Sequence, residues 1–149
     1  MNKRWKRLTA AAAVVVFSIV PIASFAEVNM QEGNWETTME MKIEGMPVPM
    51  PPIVSKVQQC ITKKDLVPKT ANKEQKCDIK SQKVLGNKVS WNMVCEDKNG
   101  TMESQGEITY AGNSYQGVVK TKTTTRDRPG KPMTSSMKMM GKRLGPCSK

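Results

Sequence analysis

The stretch CDIKSQKVLGNKVSWNMVC, residues 77–95, begins and ends with cysteine and contains a central Gly-Asn pair. Such a pair between residues rich in β-branched and aromatic side chains is typical of two strands joined by a tight turn. The residues expected to point inward are Ile79 on the first strand and Val89, Trp91 and Met93 on the second. The stretch therefore predicts the central hairpin of a β-rich fold.

The inward residues also predict the register of this hairpin. Side chains alternate along a strand, so the numbers of two opposed residues must add to an even number if the inward residues are to share a face. A three-residue loop over 85–87 meets this condition. It sets Ile79 opposite Met93. It also sets Ser81 opposite Trp91.

The first 26 residues have the three parts of a secretory signal peptide. MNKRWKR is basic, an apolar stretch follows to about Ile22, and small residues stand at Ser24 and Ala26. The apolar stretch is shorter than the roughly 20 residues of a bilayer span, so we predict cleavage of 1–26 rather than a membrane-spanning segment. We predict that residues 27–149 form a single domain. Its net charge is +7, compared with +11 for the whole chain, because the removed segment holds four basic residues and no acidic residue. The short basic start favours the periplasm.

The four cysteines are expected to form two disulfides. Disulfides persist in exported proteins, whereas zinc and redox sites usually need C-x-x-C spacing or histidine, and this chain has neither. The hairpin register sets Cys77 opposite Cys95, near disulfide distance. Cys60 then remains for Cys147. The alternative pairing is Cys60–Cys77 with Cys95–Cys147.

Period-two patterning continues through the rest of the mature chain. In NWETTMEMKIE, residues 34–44, the odd-numbered residues Trp, Thr, Met, Met and Ile alternate with mainly charged residues, as in a half-buried strand. If Tyr110 lies opposite Tyr115, glycines face larger residues on the neighbouring strand, which often marks strong bending of a sheet. Further strands are predicted over 53–60, 101–110, 115–123 and 133–143.

One short helix interrupts the predicted strands. Thr62 and Asp65 form a weak capping-box pattern around 63–67, and Pro68 ends the segment. Sequential hairpins with short connections give an antiparallel meander. We therefore predict an all-β fold with one short helix, in which about seven strands form a strongly curved sheet or a small barrel stapled by disulfides.

A series of short motifs runs in order along the mature chain: Gly33-x-Trp35-Glu36, Cys60-Ile61-Thr62-x-x-Asp65, Cys77, Gly86-Asn87-x-Val89-x-Trp91-x-x-x-Cys95, Gly106-x-Ile108-Thr109-Tyr110, Tyr115-x-Gly117 and Gly141-x-Arg143-Leu144-Gly145-x-Cys147. Together they resemble the exported proteobacterial family classed as domain of unknown function 3617. The resemblance implies a small exported β-domain with paired cysteines and no assigned activity. It supplies no catalytic residues.

The composition excludes the common nucleophilic mechanisms. The chain has no histidine, which excludes Ser-His-Asp and Cys-His catalysis, and its cysteines are expected to be oxidised. The acidic residues mostly alternate outward along the predicted strands, as on a solvated face, rather than forming a catalytic pair. We predict a protein that is not an enzyme and that carries no cofactor.

The C-terminal third is basic and supplies the candidate anion-binding residues. A basic cluster attracts phosphate groups, although outward lysines on an edge strand also discourage aggregation. Few aromatic residues are available for base stacking, so we exclude nucleic acid and expect anionic envelope lipid, polysaccharide or a periplasmic protein as partner. The candidates are Lys120, Lys122, Arg126, Arg128, Lys131, Lys138, Lys142 and Arg143.

Two further hypotheses concern apolar and sulfur-containing side chains. A ligand-holding β-cup would have an apolar cavity near its aromatic residues, so Trp35, Trp91, Tyr110 and Tyr115 are the ligand-facing candidates. Thioethers suit Cu(I), although methionines also fill core gaps. The methionines in question are Met133, Met137, Met139 and Met140, with Met46 and Met50 in a Pro-rich loop.

The function that we expect is an exported, non-catalytic binding or envelope-associated module for an apolar or anionic ligand. One alternative is an interaction protein without a small ligand. The other is a methionine-based copper-binding protein.

Overall fold

The computed structural model describes residues 27–45, 48, 50–68 and 75–147. The predicted signal peptide over 1–26 and Met46 lie outside these residues. The described residues form seven strands: β1 (Gly33–Glu44), β2 (Ile53–Ile61), β3 (Lys76–Leu85), β4 (Lys88–Glu96), β5 (Gly100–Ala111), β6 (Ser114–Thr125) and β7 (Met133–Gly145).

All seven strands belong to one antiparallel sheet with the order β2-β1-β7-β6-β5-β4-β3. Strands β3 to β7 follow one another as a meander, and β7 then pairs with β1, which pairs with β2. Strands β2 and β3 are the two edges and do not pair with each other within the described residues. The predicted seven-stranded meander is confirmed. The small-barrel alternative is wrong, because β1 and β2 extend one side of the meander without reaching β3.

Both disulfides have the favoured pairing. Cys77 and Cys95 are opposed residues of β3 and β4, with their Cα atoms 4.0 Å apart. Cys60, near the end of β2, is bonded to Cys147 after β7, with a Cα–Cα distance of 5.4 Å. The pairing Cys60–Cys77 with Cys95–Cys147 is therefore wrong.

The turn of the β3–β4 hairpin is shorter than predicted. Leu85 lies opposite Lys88, so the turn contains only Gly86 and Asn87, and the three-residue loop is wrong. Gly86 has φ +57°, as a hairpin turn with glycine at its first central position requires.

A bulge compensates for this shorter turn. The register shifts between Ile79 and Ser81, so Lys80 is an extra residue on β3. Ile79 remains opposite Met93 as predicted. Ser81 is instead opposite Asn92, which corrects the prediction that it faces Trp91.

The predicted helix over 63–67 is absent from the described residues, where Thr62 and Asp65 close a turn instead. The Asp65 amide donates to the Thr62 carbonyl at 2.9 Å, and the Thr62 hydroxyl donates to the Asp65 carboxylate at 2.8 Å. Five residues ended by Pro68 are too few to offset the cost of helix nucleation.

The core lies on one face of the sheet, which we call the inner face; the opposite face is the outer face. Trp35, Val89 and Ile108 on the inner face are almost completely buried. Two segments that flank the strands, 27–32 and 62–68, contribute further buried residues to the same cluster. The Lys63 ammonium and the Glu27 carboxylate, 2.8 Å apart, join these two segments.

Glycines on the inner face make room for large side chains on neighbouring strands. Gly106 lies opposite Trp91, and Gly141 lies opposite Tyr115. A Cβ atom at either glycine would overlap the facing aromatic ring. The predicted register of β5 and β6 is also confirmed, because Tyr110 lies opposite Tyr115, and Gly106 and Gly117 consequently face Val119 and Ile108.

Candidate functional site

The four aromatic candidates are core residues in this structure. Trp35 is 0% exposed, and Trp91, Tyr110 and Tyr115 are also buried. The ring of Tyr115 lies between those of Trp35 and Tyr110, with centroid distances of 5.4 and 5.5 Å. Trp91 packs on Gly106 instead. This close packing argues against a preformed ligand cavity at the aromatic cluster.

Hydrogen bonds satisfy the two phenols. The Tyr110 hydroxyl donates to the Leu66 carbonyl at 2.9 Å, and the hydroxyls of Tyr115 and Thr37 share a hydrogen bond of 2.5 Å. Burial raises the pKa of both tyrosines, while the hydrogen bond with Thr37 acts in the opposite direction on the pKa of Tyr115. Both phenols are therefore neutral at ordinary pH and act as structural groups.

Four of the five lysines among the anion-binding candidates lie on the outer face, and three of these four are opposite acidic residues. Lys138 is opposite Glu40, and Lys122 is opposite Glu103. Lys142 is likewise opposite Glu36, whereas Lys120 has Gln105 and Ser136 as cross-strand partners. The outer face consequently alternates in charge and does not present one basic surface.

The remaining basic candidates lie elsewhere. Arg126, Arg128 and Lys131 belong to the connection between β6 and β7, where Asp127 also lies. The Arg143 guanidinium donates to the Glu32 carbonyl at 2.8 Å and so helps to hold the N-terminal segment. The basic run in the sequence is thus divided among three places in the fold.

A cleft of about 340 Å³ lies on the inner face between segment 62–68 and strand β3; we call it the β3 cleft. Residues 69–74, which connect Pro68 to Gln75, lie outside the described residues. The described lining is mainly apolar, with a disulfide-bonded cysteine and three polar residues: Val67, Pro68, Ile79, Met93, Cys77, Lys64, Gln75 and Gln82.

The exposure of Ile79 shows that the β3 cleft, unlike the core, is not filled by side chains of the described residues. The sequence pattern predicts an inward side chain, and Ile79 does share the inner face with Met93, but it is 49% exposed whereas Met93 is 8% exposed. Its exposure follows from its place on an edge strand, next to the bulge at Lys80. A half-exposed apolar side chain in a concave cleft is a candidate ligand contact.

The methionines that cluster in the sequence separate in the fold. Met140 is 56% exposed on the outer face, and Met133 lies at the start of β7, opposite Thr123. Met50, in the connection before β2, is also exposed. The predicted C-terminal cluster is therefore not one site.

A different methionine group forms across β1 and β7. Met39 lies opposite Met139, and Met41 lies opposite Met137, all on the inner face. We call these four residues the methionine quartet. Met39 and Met41 are not among the methionines expected from the sequence to bind copper, although the repeated Met-x-Met pattern of the two strands is a signal that indicates this group.

The part of the chain that the structure describes contains no group of His, Cys, Asp or Glu residues suited to hold a metal ion. None of the described residues belongs to a helix with the length and apolarity that a membrane crossing requires.

Comparison with known proteins identifies a family. The model of DUF3617, described as a protein of unknown function, matches residues 30–147, which is most of the chain. Neither the curated proteins nor the solved structures give a match. The matched range contains all seven strands and both disulfides. The chain belongs to the DUF3617 family.

Proposed function

We propose that the protein is an exported, non-catalytic module that binds the apolar chain of an amphiphilic ligand in the β3 cleft. The observation that carries this proposal is the 49% exposure of Ile79, an inner-facing apolar side chain in the wall of a cleft of about 340 Å³. This volume lies at the lower end of the range of small-molecule sites, which favours a single acyl chain over a lipid with several chains.

The lining of the cleft supports an acidic head group on this ligand. Val67, Pro68, Ile79 and Met93 offer apolar contacts for a chain, and Lys64 is the ionisable residue of the described lining. An ammonium group attracts a carboxylate or phosphate. A fatty acid is the simplest compound with both features.

Support for export comes from the sequence and from the cysteines. Residues 1–26 have the composition of a signal peptide, and all four cysteines are paired in disulfides. Disulfides persist in oxidising compartments such as the periplasm. The proposal therefore places the ligand among the amphiphiles of the bacterial envelope.

Support for a non-catalytic role comes from the same lining. Its cysteine, Cys77, is bonded to Cys95, so it is not a thiol nucleophile. The chain also lacks histidine, the usual general base at neutral pH. Lys64 remains as a positively charged group that attracts an anion.

A fatty-acid titration tests the proposal. We expect cis-parinaric acid to gain fluorescence when it binds the mature, oxidised protein. Ile79→Glu places a carboxylate on the wall of the cleft and should weaken binding by at least about tenfold, or about 1.4 kcal/mol. Val84→Glu is the matched control, because Val84 is 41% exposed on the inner face of the same strand but does not line the cleft.

The position of the head group is tested with a second variant. Lys64→Ala should weaken binding of the fatty acid and leave binding of its methyl ester unchanged, because only the acid carries a charge. The proposal fails if the unaltered protein does not bind the probe at micromolar concentration, or if the substitutions at Ile79 and Val84 have equal effects.

A further inference from the structure

Strands β1 and β7 carry the same short pattern in opposite directions. Met39-Glu40-Met41 pairs with Met137-Lys138-Met139 so that each methionine meets another methionine. Glu40 lies opposite Lys138 on the outer face between the two methionine pairs, and opposite charges at directly opposed positions favour this register. The pairing thus assembles four thioethers in one block on the inner face.

The spacing within this block allows the sulfur atoms to converge. Directly opposed residues of an antiparallel pair have Cβ atoms roughly 4.5–5.5 Å apart. A methionine side chain is unbranched and flexible, so neighbouring sulfurs can turn toward a common point without moving the backbone. Two opposed pairs on adjacent positions of one face therefore suit a centre with up to four sulfur ligands.

One end of the quartet is buried, and the other end is exposed to solvent. Met139 is 2% exposed, Met39 and Met137 are partly buried, and Met41 is 37% exposed. A small ion could reach the quartet from the side of Met41 and lose its water against Met139. The other cross-strand partners of the quartet are uncharged: Ser55, Ile53, Val119 and Gly117.

We propose that the methionine quartet binds a soft monovalent cation, Cu(I), through its thioether sulfurs. Soft sulfur donors favour Cu(I) over hard divalent ions. The chain has no histidine, and its cysteines are all in disulfides, so thioethers are its available soft donors. The quartet shares no residue with the β3 cleft. Binding of Cu(I) by the quartet therefore does not depend on binding of an amphiphilic ligand in the cleft.

A titration with Ag(I), which resembles Cu(I) in charge and softness but needs no reductant, tests the site with the disulfides intact. The readout is the NMR spectrum of the mature protein with ¹³C-labelled methionine methyl groups. At one equivalent of Ag(I), the methyl signals of Met39, Met41, Met137 and Met139 should shift together. Those of Met133 and Met140 should stay in place. Competition with bicinchoninate in ascorbate then measures the affinity for Cu(I).

Leucine substitutions separate binding from packing, because leucine conserves the approximate volume of methionine and removes its sulfur. Met41→Leu/Met137→Leu should weaken the binding of Ag(I) and Cu(I) by about 100-fold. Metal sites lose up to about this much affinity when a group that supports one of the metal ligands is removed. Met133→Leu/Met140→Leu is the matched control and should change the affinity by less than about twofold.

A single variant, Met41→Leu, covers the case in which the double variant does not fold, because Met41 is the most exposed member of the quartet. It should still weaken binding by about tenfold. The inference is overturned if micromolar Ag(I) shifts none of the quartet signals, if all methionine signals shift alike, or if the control variant loses the same affinity.

Discussion

Tyr115 is the residue at which several strands meet. Its hydroxyl group bonds to Thr37 on β1, its ring packs between Trp35 and Tyr110, and it lies over Gly141 of β7. The side chain therefore links the first strand to the last two through one ring and one hydrogen bond. Because burial favours the neutral phenol over the charged phenolate, the stability of this packing depends on pH.

We expect the protein to lose stability above about pH 10. Burial raises the pKa of Tyr110 and Tyr115 above the ordinary value of 10.0, so the folded protein retains protons that the unfolded chain releases. This stabilisation is complete below the unfolded pKa and falls by up to about 1.4 kcal/mol per pH unit for each tyrosine as the pH rises. Urea unfolding from about pH 8 to about pH 12 measures the slope.

The absorbance of tyrosinate provides the check on this prediction. It should rise together with the loss of folded structure, and Tyr110→Phe should reduce the pH slope by about one proton. Ionisation of both tyrosines near pH 10 in a protein that stays folded would contradict the assignment.

At the scale of the elements, periodicity predicted the strands along the chain but not the pairing of β1 with β7. The β3–β4 turn was less predictable, because the parity of inward residues assumes a continuous strand. The bulge at Lys80 adds one residue to β3. Because of this extra residue, the hairpin has a two-residue turn and Cys77 still lies opposite Cys95. The pattern of Thr62 and Asp65 predicts the start of a helix, but the same side chains close a single turn.

The candidate sites were less predictable than the strands. The sequence pattern placed Ile79 on the inner face but could not show that β3 is an edge, which is why its exposure was missed. The methionine quartet depends on the pairing of the first strand with the last. Residues about a hundred positions apart come together only through that pairing, which local patterning does not contain.

The two edge strands differ in their protection against association. Strand β3 carries three lysines, an aspartate and a bulge, the features that discourage pairing with another chain. Strand β2 has Lys56 as its one charged residue. Its Ile53, Val54 and Val57 are exposed. Contact between molecules should therefore begin at β2.

We expect concentration-dependent self-association through β2, measured by sedimentation velocity. Val54→Lys should reduce the association because it adds a charge to the outer face of this edge. Val118→Lys is the control, since Val118 is 52% exposed on the same face of the interior strand β6. A protein that remains monomeric at millimolar concentration, or equal effects of the two substitutions, would exclude β2 as the association site.

At the scale of the whole molecule, the two disulfides constrain very different lengths of chain. The Cys60–Cys147 bond spans a sequence separation of 87, whereas the Cys77–Cys95 bond spans 18. The chain-entropy relation gives about 4.6 kcal/mol for the longer loop and about 3.2 kcal/mol for the shorter one. The longer bond should therefore contribute more to the stability of the fold.

Two double variants compare these contributions in urea unfolding. Cys60→Ala/Cys147→Ala should lower the free energy of unfolding by about 1.4 kcal/mol more than Cys77→Ala/Cys95→Val does. Valine is used at position 95 because Cys95 is fully buried and its volume must be kept. A larger loss from the second variant would show that packing at the hairpin outweighs loop closure.

The Cys60–Cys147 bond also divides the molecule into a covalent ring and a tail. Strands β3 to β7 lie inside the ring, whereas β1 and most of β2 precede it, although β1 is hydrogen-bonded between β2 and β7. A protease that cuts between β6 and β7, for example after Arg126, would leave one covalent molecule on a non-reducing gel. A cut between β1 and β2 would instead leave β1 held by hydrogen bonds and packing alone.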